Sequence, residues 1–523
     1  MHKINEMEAL QTSLLQADAR LDLAHKNYRK AKEKADNWRN EFLDSLAEAR
    51  AKDKDTTIEA EEKSLKQIER QRKQARNIKR VRQKGQQGSV NMVFETDEDG
   101  RHERVSKDDI EDACIRENSQ RFSQSWNTPF MTPPLVHDFG YLAETEAADQ
   151  VLHRCYEIPD GTDKYAAMLL DQLYAPMLVQ EADPISVNIS TKEHIQAWKK
   201  QDERTSAEPT GLSFNHHKAA SKDPTLAEFD ATMRNIPYEN GFAPEVWQNI
   251  TDVEILKKAG VYDIHLMRTI QLMNAELNLN NKKLGRDLMK RGEEFKLIAR
   301  EQFGSRKEHQ SITAALNKRL TMDLLRQKRQ AGALCSNDAK SCYDRVVHSV
   351  ATLSMRRLGA APNGVKSMFI ALQKAAHRIR TAFGVSVKKY GHDRDEPLQG
   401  LGQGNGCGPA GWAVVSTPII NMMRVAGFGA TFFSAMSVTL IAFVCYAFVD
   451  DTDVVHTAQD VFTTGETIMS EMQTVIDHWE GGLRATGGAI VPKKSYWYLI
   501  DWIWEKNRWR YATIDDIPGD LTI

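Results

Sequence analysis

Residues 439–457 read TLIAFVCYAFVDDTDVVHT, and the pair of aspartates inside this apolar stretch sets how the rest of the chain is read. The run from Val425 to Val449 carries no charged side chain and ends on Asp450 and Asp451. A buried carboxylate is costly unless a cation compensates it. The flanks on both sides are β-branched or aromatic, which predicts a β-hairpin with the two acids at its turn. Hard cations hold such a pair ionised, and Mg2+ takes carboxylate oxygens while keeping positions for phosphates and water.

A further carboxylate with the same kind of flank lies in GALCSNDAKSCYDRVVHSVA, residues 332–351. Asp338 follows a short small-apolar run and precedes a helical pattern at Val346, Val347, Val350 and Leu353, so it is expected at a strand end. Two ions roughly 3.5–4 Å apart, clamping attacking and leaving oxygens, are the general machinery of in-line phosphoryl transfer.

SNDAKSCYDRV, GQGNGCGPA and FVDD, in that order, resemble motifs A, B and C of reverse transcriptases, most closely those of non-LTR (LINE-type) retrotransposons. The resemblance implies metal-binding aspartates at Asp338, Asp450 and Asp451 and two Mg2+ ions, with Mn2+ as an alternative. It also implies an aromatic gate against ribonucleotides at Tyr343, five residues after Asp338. The family's Gln-Gly pair has two registers here. Gln403-Gly404 is chosen over Gln399-Gly400 because Pro409 stands six residues after Gln403, where the family has proline. A glycine there lets backbone approach the incoming nucleotide. MRTIQLMNAELNL is similar to a finger segment that would make Arg268 a contact to the triphosphate, where a guanidinium suits phosphate oxygens. REQFGSRKEHQSITAAL looks like the element that follows it. GGLRATGGAIVPKKSYWYL resembles motif D, whose lysine, able to protonate the leaving pyrophosphate, aligns with Lys494, or with Lys493 as the second choice.

The expected fold is α+β: right-hand polymerase fingers (225–335) and palm (336–500), an antiparallel sheet with helices, and a truncated thumb or connection at 501–523. Before them, residues 87–224 read as a linking region with short helices and one hairpin at Asp99-Gly100. Residues 1–86 carry a heptad seam, Met7, Leu14, Leu21, Tyr28, Ala35 and Phe42, with Leu10, Ala17, Ala24, Ala31, Trp38 and Ser45 on its second track. A helical hairpin, a coiled-coil dimer joined through residues 7–45, and a solvated lone helix all fit that pattern. Lys63 to Lys84 follows with ten lysines and arginines against the single acid Glu69. Such a run suits a polyanion, and Arg70, Arg72, Lys73, Arg76, Lys79 and Arg80 are its expected phosphate contacts.

The net charge of −2 averages unlike segments, and the six cysteines are scattered without metal-finger spacing, which favours a reducing compartment. With no apolar signal segment at the N-terminus, the expectation is an intracellular protein of cytoplasm or nucleus. Val425 to Val449 is long enough to span a bilayer, but its interruptions and its acidic end favour a buried strand. His216-His217 reads as a surface loop, since no third metal ligand stands at helical spacing. Glycines at 406, 408 and 411 satisfy a dinucleotide fingerprint without the strand that must lead into it.

The function expected is RNA-directed DNA synthesis by two-metal nucleotidyl transfer from dNTP to a primer 3′-hydroxyl, with an RNA template and a DNA primer as partners and no membrane. Two rivals stand beside it. One is a catalytically inactive retroelement remnant that binds nucleic acid through its N-terminal helices, favoured by Gly408 where the family commonly has serine, by Phe448 where tyrosine is common, and by a missing thumb. The other is a viral RNA-dependent RNA polymerase, in which an acid near Asp344 would engage the ribose 2′-hydroxyl.

Overall fold

The computed structural model describes residues 90–523 apart from 98–99, 209–210, 434–439, 461 and 518, together with the isolated positions 30, 33, 37, 41 and 44. Two compact units divide between Gly88 and Ser89. In the first, Lys30, Glu33, Asn37, Glu41 and Asp44 are helical and exposed, and all five are off the heptad seam. The seam itself and the basic run Lys63 to Lys84 lie outside the described residues.

In the second unit the strands are β1 (Val93–Asp97), β2 (Gly100–Arg104), β3 (Asn249–Ile255), β4 (Arg268–Leu272), β5 (Gly332–Asp338), β6 (Ala376–Thr381), β7 (Gly384–Val385), β8 (Ala430–Phe433), β9 (Leu440–Phe443), β10 (Cys445–Phe448), β11 (Asp451–Thr457), β12 (Tyr496–Ile500), β13 (Trp502–Glu505) and β14 (Arg508–Tyr511). With the helices between them they make a mixed helix-and-sheet fold, as the α+β reading expects.

The sheet that carries the aspartates runs β10-β11-β5-β12, antiparallel throughout. Small and β-branched residues dominate β5 and β11, and both faces are covered. Ala333 and Cys335 of β5 enter the main core, while Leu334 points to a second core with Met322, Leu325, Phe432 and Tyr446. That alternation is the two-residue period of a strand. On the first face packs the helix Gly465–Ala485, started by Thr464, whose side chain accepts from the Thr467 N–H. Ile468, Met472, Val475, Ile476, Trp479 and Leu483 recur at helical spacing along its buried side. The helix Ser311–Lys328 supplies Met322 and Leu325 to the other face. The helix Gly408–Val425, buried along most of its length, joins the same main core.

A second sheet, β4-β3-β6-β7, is antiparallel except for the parallel pair β3 and β6. The helix Lys107–Phe122 braces it through a buried polar cluster. Asn118 donates to Glu254 at 2.9 Å, Arg121 bonds Thr269, and Thr269 donates to Asn118 at 3.0 Å. Thr269 is the neighbour of Arg268, so this cluster fixes the strand that presents Arg268.

Residues 87–224 contain the hairpin β1–β2, and they also supply Phe130, Leu135, Phe139 and Leu169 to the main core. The apolar run before the aspartates is the last residue of the helix ending at Val425, the hairpin β8–β9, and β10. No helix among the described residues is long and apolar enough to cross a membrane. His217, expected in a surface loop, is buried on the helix Phe214–Ala220. The local cause is the apolar neighbour Trp198, whose ring stacks on the imidazole with centroids 4.6 Å apart.

Candidate active site

Phe448 and Asp451 close a two-residue loop made of Val449 and Asp450. Of these two only Val449 has a positive φ, +61°, which defines a type II′ turn. Glycine is the usual occupant of that position, and a β-branched residue there costs on the order of 1–3 kcal/mol. The surroundings hold it in place. Gln302, fully buried, accepts from the Val449 N–H at 3.0 Å and donates to the Val449 carbonyl at 3.2 Å, and the Trp412 indole donates to the same carbonyl at 2.6 Å. Gly304 leaves no room for a side chain, since a Cβ there would sit 2.6 Å from Val449 Cγ2. The turn, and with it the Asp450 carboxylate, is therefore set by packing from two distant segments. Sequence reading matched REQFGSR to a family element but gave Gln302 and Trp412 no role. A strained valine in a turn gives no signal in sequence.

Asp338 ends β5 and stands directly opposite Asp451 of β11, so their side chains leave the sheet on the same face. Asn337 locks this register. Its amide donates to the Thr452 carbonyl at 2.8 Å and its oxygen accepts from the Trp479 indole at 3.0 Å. Burial, and then the negative charges of Asp450, Asp338 and Asp453, raise the Asp451 carboxyl above its ordinary range. Asp453 is partly neutralised by Lys318 at 2.9 Å.

Three adjacent carboxylates at strand ends are hard oxygen donors that fit Mg2+. Their oxygens do not converge as a closed ligand set does: among the described residues, His217, Asp230 and Glu276 alone bring three ligand atoms within 4.8 Å of one another. Asp338 is instead turned toward Lys494, with Nζ 2.9 Å from its Oδ2. Lys494 ends the short 3-10 turn Pro492–Lys494 that leads into β12, which brings the lysine to the acids.

Lys257, which sequence reading did not single out, joins these cations. Burial lowers its ammonium pKa, and the positive charges of Lys494, Arg268 and Arg121 add to the effect. Lys257 therefore feels the charges of Arg268, Lys494 and Asp338 together, and positive charge gathered on the Lys494 side of Asp338 suits a polyphosphate.

Tyr343 is half-buried on the short helix Cys342–Arg345. Its phenol is raised by burial, with the charges of Cys342 and Asp450 adding, and its ring lies 3.6 Å from where a Gly408 Cβ would stand. Gln403 donates to Asp344 at 3.1 Å, and its carbonyl accepts from the Gln271 N–H of β4 at 2.7 Å. Gly404 has φ +125°, and a Cβ there would collide with the Gln271 carbonyl. The Gln403-Gly404 pair therefore threads between β4 and the Tyr343 segment. Burial pushes the Asp344 carboxyl up to about 6, with the Gln403 bond and the Arg121 charge opposing. Arg70, Arg72, Lys73, Arg76, Lys79 and Arg80 lie outside the described residues.

Comparison with protein-family models and with characterised proteins finds no match for this chain.

Proposed function

We propose that the chain is an RNA-directed DNA polymerase of the LINE-type reverse-transcriptase kind, with fingers at 225–335 and a palm at 336–500. The observation that carries the reading is the pairing of Asp338 with Asp451 across β5 and β11, with Asp450 in the adjoining turn. That register comes from residues far apart in sequence, yet it gathers the three acids that the motif resemblance names.

In this reading Asp338 and Asp450 hold two Mg2+ ions, and Asp451 completes the acidic edge of the turn. Bound there, the ions supply Lewis-acid activation of the primer 3′-hydroxyl and stabilise charge on the phosphoryl group. Arg268 and Lys257 orient the triphosphate. Tyr343 excludes a ribose 2′-hydroxyl by volume. Lys494, bonded to Asp338 in this structure, turns to the leaving pyrophosphate and donates its Nζ proton there. The basic run from Lys63 to Lys84 holds RNA phosphates without sequence preference.

A further support is the hairpin β13–β14. It exposes Trp504, Trp509 and Tyr511 beside Arg508, and exposed aromatic rings among cations are stacking platforms for single strands. The RNA-polymerase rival requires Asp344 to reach the ribose, but this side chain is 2 % exposed and bonded by Gln403. A non-catalytic binding protein has no need of three acids at one strand end, two of them without an ion pair among the described residues.

Primer extension on an RNA template with dNTPs and Mg2+, comparing the chain with its Asp450→Ala/Asp451→Ala variant, tests the reading. Extension abolished in the variant is expected. Equal extension by both, or preferential use of rNTPs, overturns it; no extension by either favours the binding protein.

A further inference from the structure

The cluster of buried His217 with half-buried Asp230 and Glu276 is remote in sequence from the aspartate sheet and has no part in the chemistry above. Each comes from a different helix: His217 from Phe214–Ala220, Asp230 from Pro224–Asn240 and Glu276 from the first turn of Ala275–Glu294. Their ligand atoms lie within 4.8 Å of one another. We infer that these three side chains form a site for one divalent ion of borderline softness, of the Zn2+ class, that ties the three helices together.

Four observations support the assignment. First, His217 Nδ1 is 3.1 Å from Asp230 Oδ2, close to the edge of about 3.3 Å that a tetrahedron with metal–ligand bonds near 2.0 Å requires. Second, His217 is 3 % exposed and its Nε2 has no hydrogen-bond partner, so the ring is buried without the polar satisfaction that burial normally demands. Third, Asp230 and Glu276 each bring a carboxylate oxygen within 4.8 Å of the other and of His217. Two half-buried carboxyls side by side favour a cation between them. Fourth, the supporting groups are those of a built site. The Trp247 indole donates to Glu276 Oε2 at 3.2 Å, and Trp198 stacks on His217.

His194 belongs to the support and not to the ligands. Its Nδ1 lies 2.9 Å from Arg234 Nη1, and a guanidinium can only donate, so that nitrogen is the acceptor. The proton of the neutral ring is then on Nε2, which stands 3.2 Å from Asp230 Oδ2 and has no lone pair for a metal. Arg234 in turn is fixed by Asn280 Oδ1 at 2.6 Å and 3.1 Å.

Binding balances simply. The ion enters as a dication between the Asp230 and Glu276 carboxylates, and the His217 proton moves from Nδ1 to Nε2 as Nδ1 becomes a ligand. One water completes four-coordination. Glu276 is four residues beyond Leu272, the end of β4, so the ion also stiffens the connection to the strand that presents Arg268.

The test uses the full chain, stripped with chelator, dialysed and titrated with Co2+ in an Asp450→Ala background so that the acids at the β10–β11 turn are weakened as a competing site. Expected are one equivalent of Co2+ with the visible absorption of four-coordinate cobalt and its displacement by one equivalent of Zn2+. His217→Ala abolishes the band, Trp247→Phe weakens Zn2+ affinity by roughly tenfold to a hundredfold, and the exposed neighbour variant His216→Ala leaves it unchanged. Absence of the band and of retained Zn2+ in the folded His217-containing chain overturns the assignment, whatever the variants do. This outcome is independent of primer extension, so the two readings fail separately.

Discussion

Gln302 grips the Val449 peptide from both sides, accepting from its N–H at 3.0 Å and donating to its carbonyl at 3.2 Å. One buried amide thus satisfies both backbone groups of the residue that bears the turn's unfavourable φ. The position of Asp450 depends on it.

Gln302→Ala removes its hydrogen bonds with the Val449 N–H and carbonyl, the Gly304 N–H and the Ser416 hydroxyl, and leaves the two N–H groups unpaired while Trp412 still serves the Val449 carbonyl, a loss of about 2–4 kcal/mol. Urea unfolding should show a loss of that size. Primer extension should fall further than stability alone explains at temperatures where the variant is folded. Full activity in the folded variant would separate the clamp from the acids.

Asp451 is raised by burial and by its acidic neighbours, so the trio repels itself without a cation. In chelator, Asp450→Asn is expected to melt higher than the parent chain, by roughly 1–2 °C. Mg2+ should raise the parent's melting temperature and leave the variant's nearly fixed. Equal Mg2+ shifts in both would remove the trio as the binding site.

Asp344 has a folded pKa of about 6 against an ordinary 3.8. An acid raised on folding is harmless below its unfolded pKa and destabilises progressively as pH climbs through the folded value. The penalty reaches about 3 kcal/mol above pH 6. Asp344→Asn keeps an acceptor for Gln403 and should gain on the parent between about pH 4 and pH 6, with a constant advantage above that. A stability difference that does not change with pH would show that Asp344 is not protonated on burial.

Lys494 holds Asp338 at 2.9 Å, where a metal ion would compete for the same oxygen. For Lys494→Ala, half-maximal activity should come at lower Mg2+ while the maximal rate drops by about a hundredfold or more, the scale of a lost general acid. A lower rate with unchanged Mg2+ dependence would deny the competition.

Tyr343→Ala should admit rNTPs, raising their use relative to dNTPs by roughly 10–100-fold. Unchanged discrimination would leave the ring with a packing role against Gly408.

The hairpin with its acidic turn and the strand ending at Asp338 were legible because apolar β-branched runs broken by aspartates have few other solutions. The motif resemblance pointed to Lys494, which stands 2.9 Å from Asp338, and to Tyr343, which packs against Gly408. Gln302, Trp412 and Lys257 were not legible, since each acts through a contact made over a long sequence separation and none lies in a periodic pattern. His217 was misread for a related reason. Its partners Asp230 and Glu276 lie on other helices, so a search for ligands along one helix could not find them. The polar cluster of Asn118, Arg121, Glu254 and Thr269 is invisible to hydropathy for the same cause.

The place of β5 between β11 and β12 has a consequence for biosynthesis. Asn337 bonds a carbonyl 115 residues later and an indole 142 residues later, so a ribosome releases β5 long before either flanking strand exists. During that interval both edges of a strand-forming segment whose one charge is Asp338 are unpaired, a condition that favours association of nascent chains. The acidic site is therefore among the last features of the sheet to be completed.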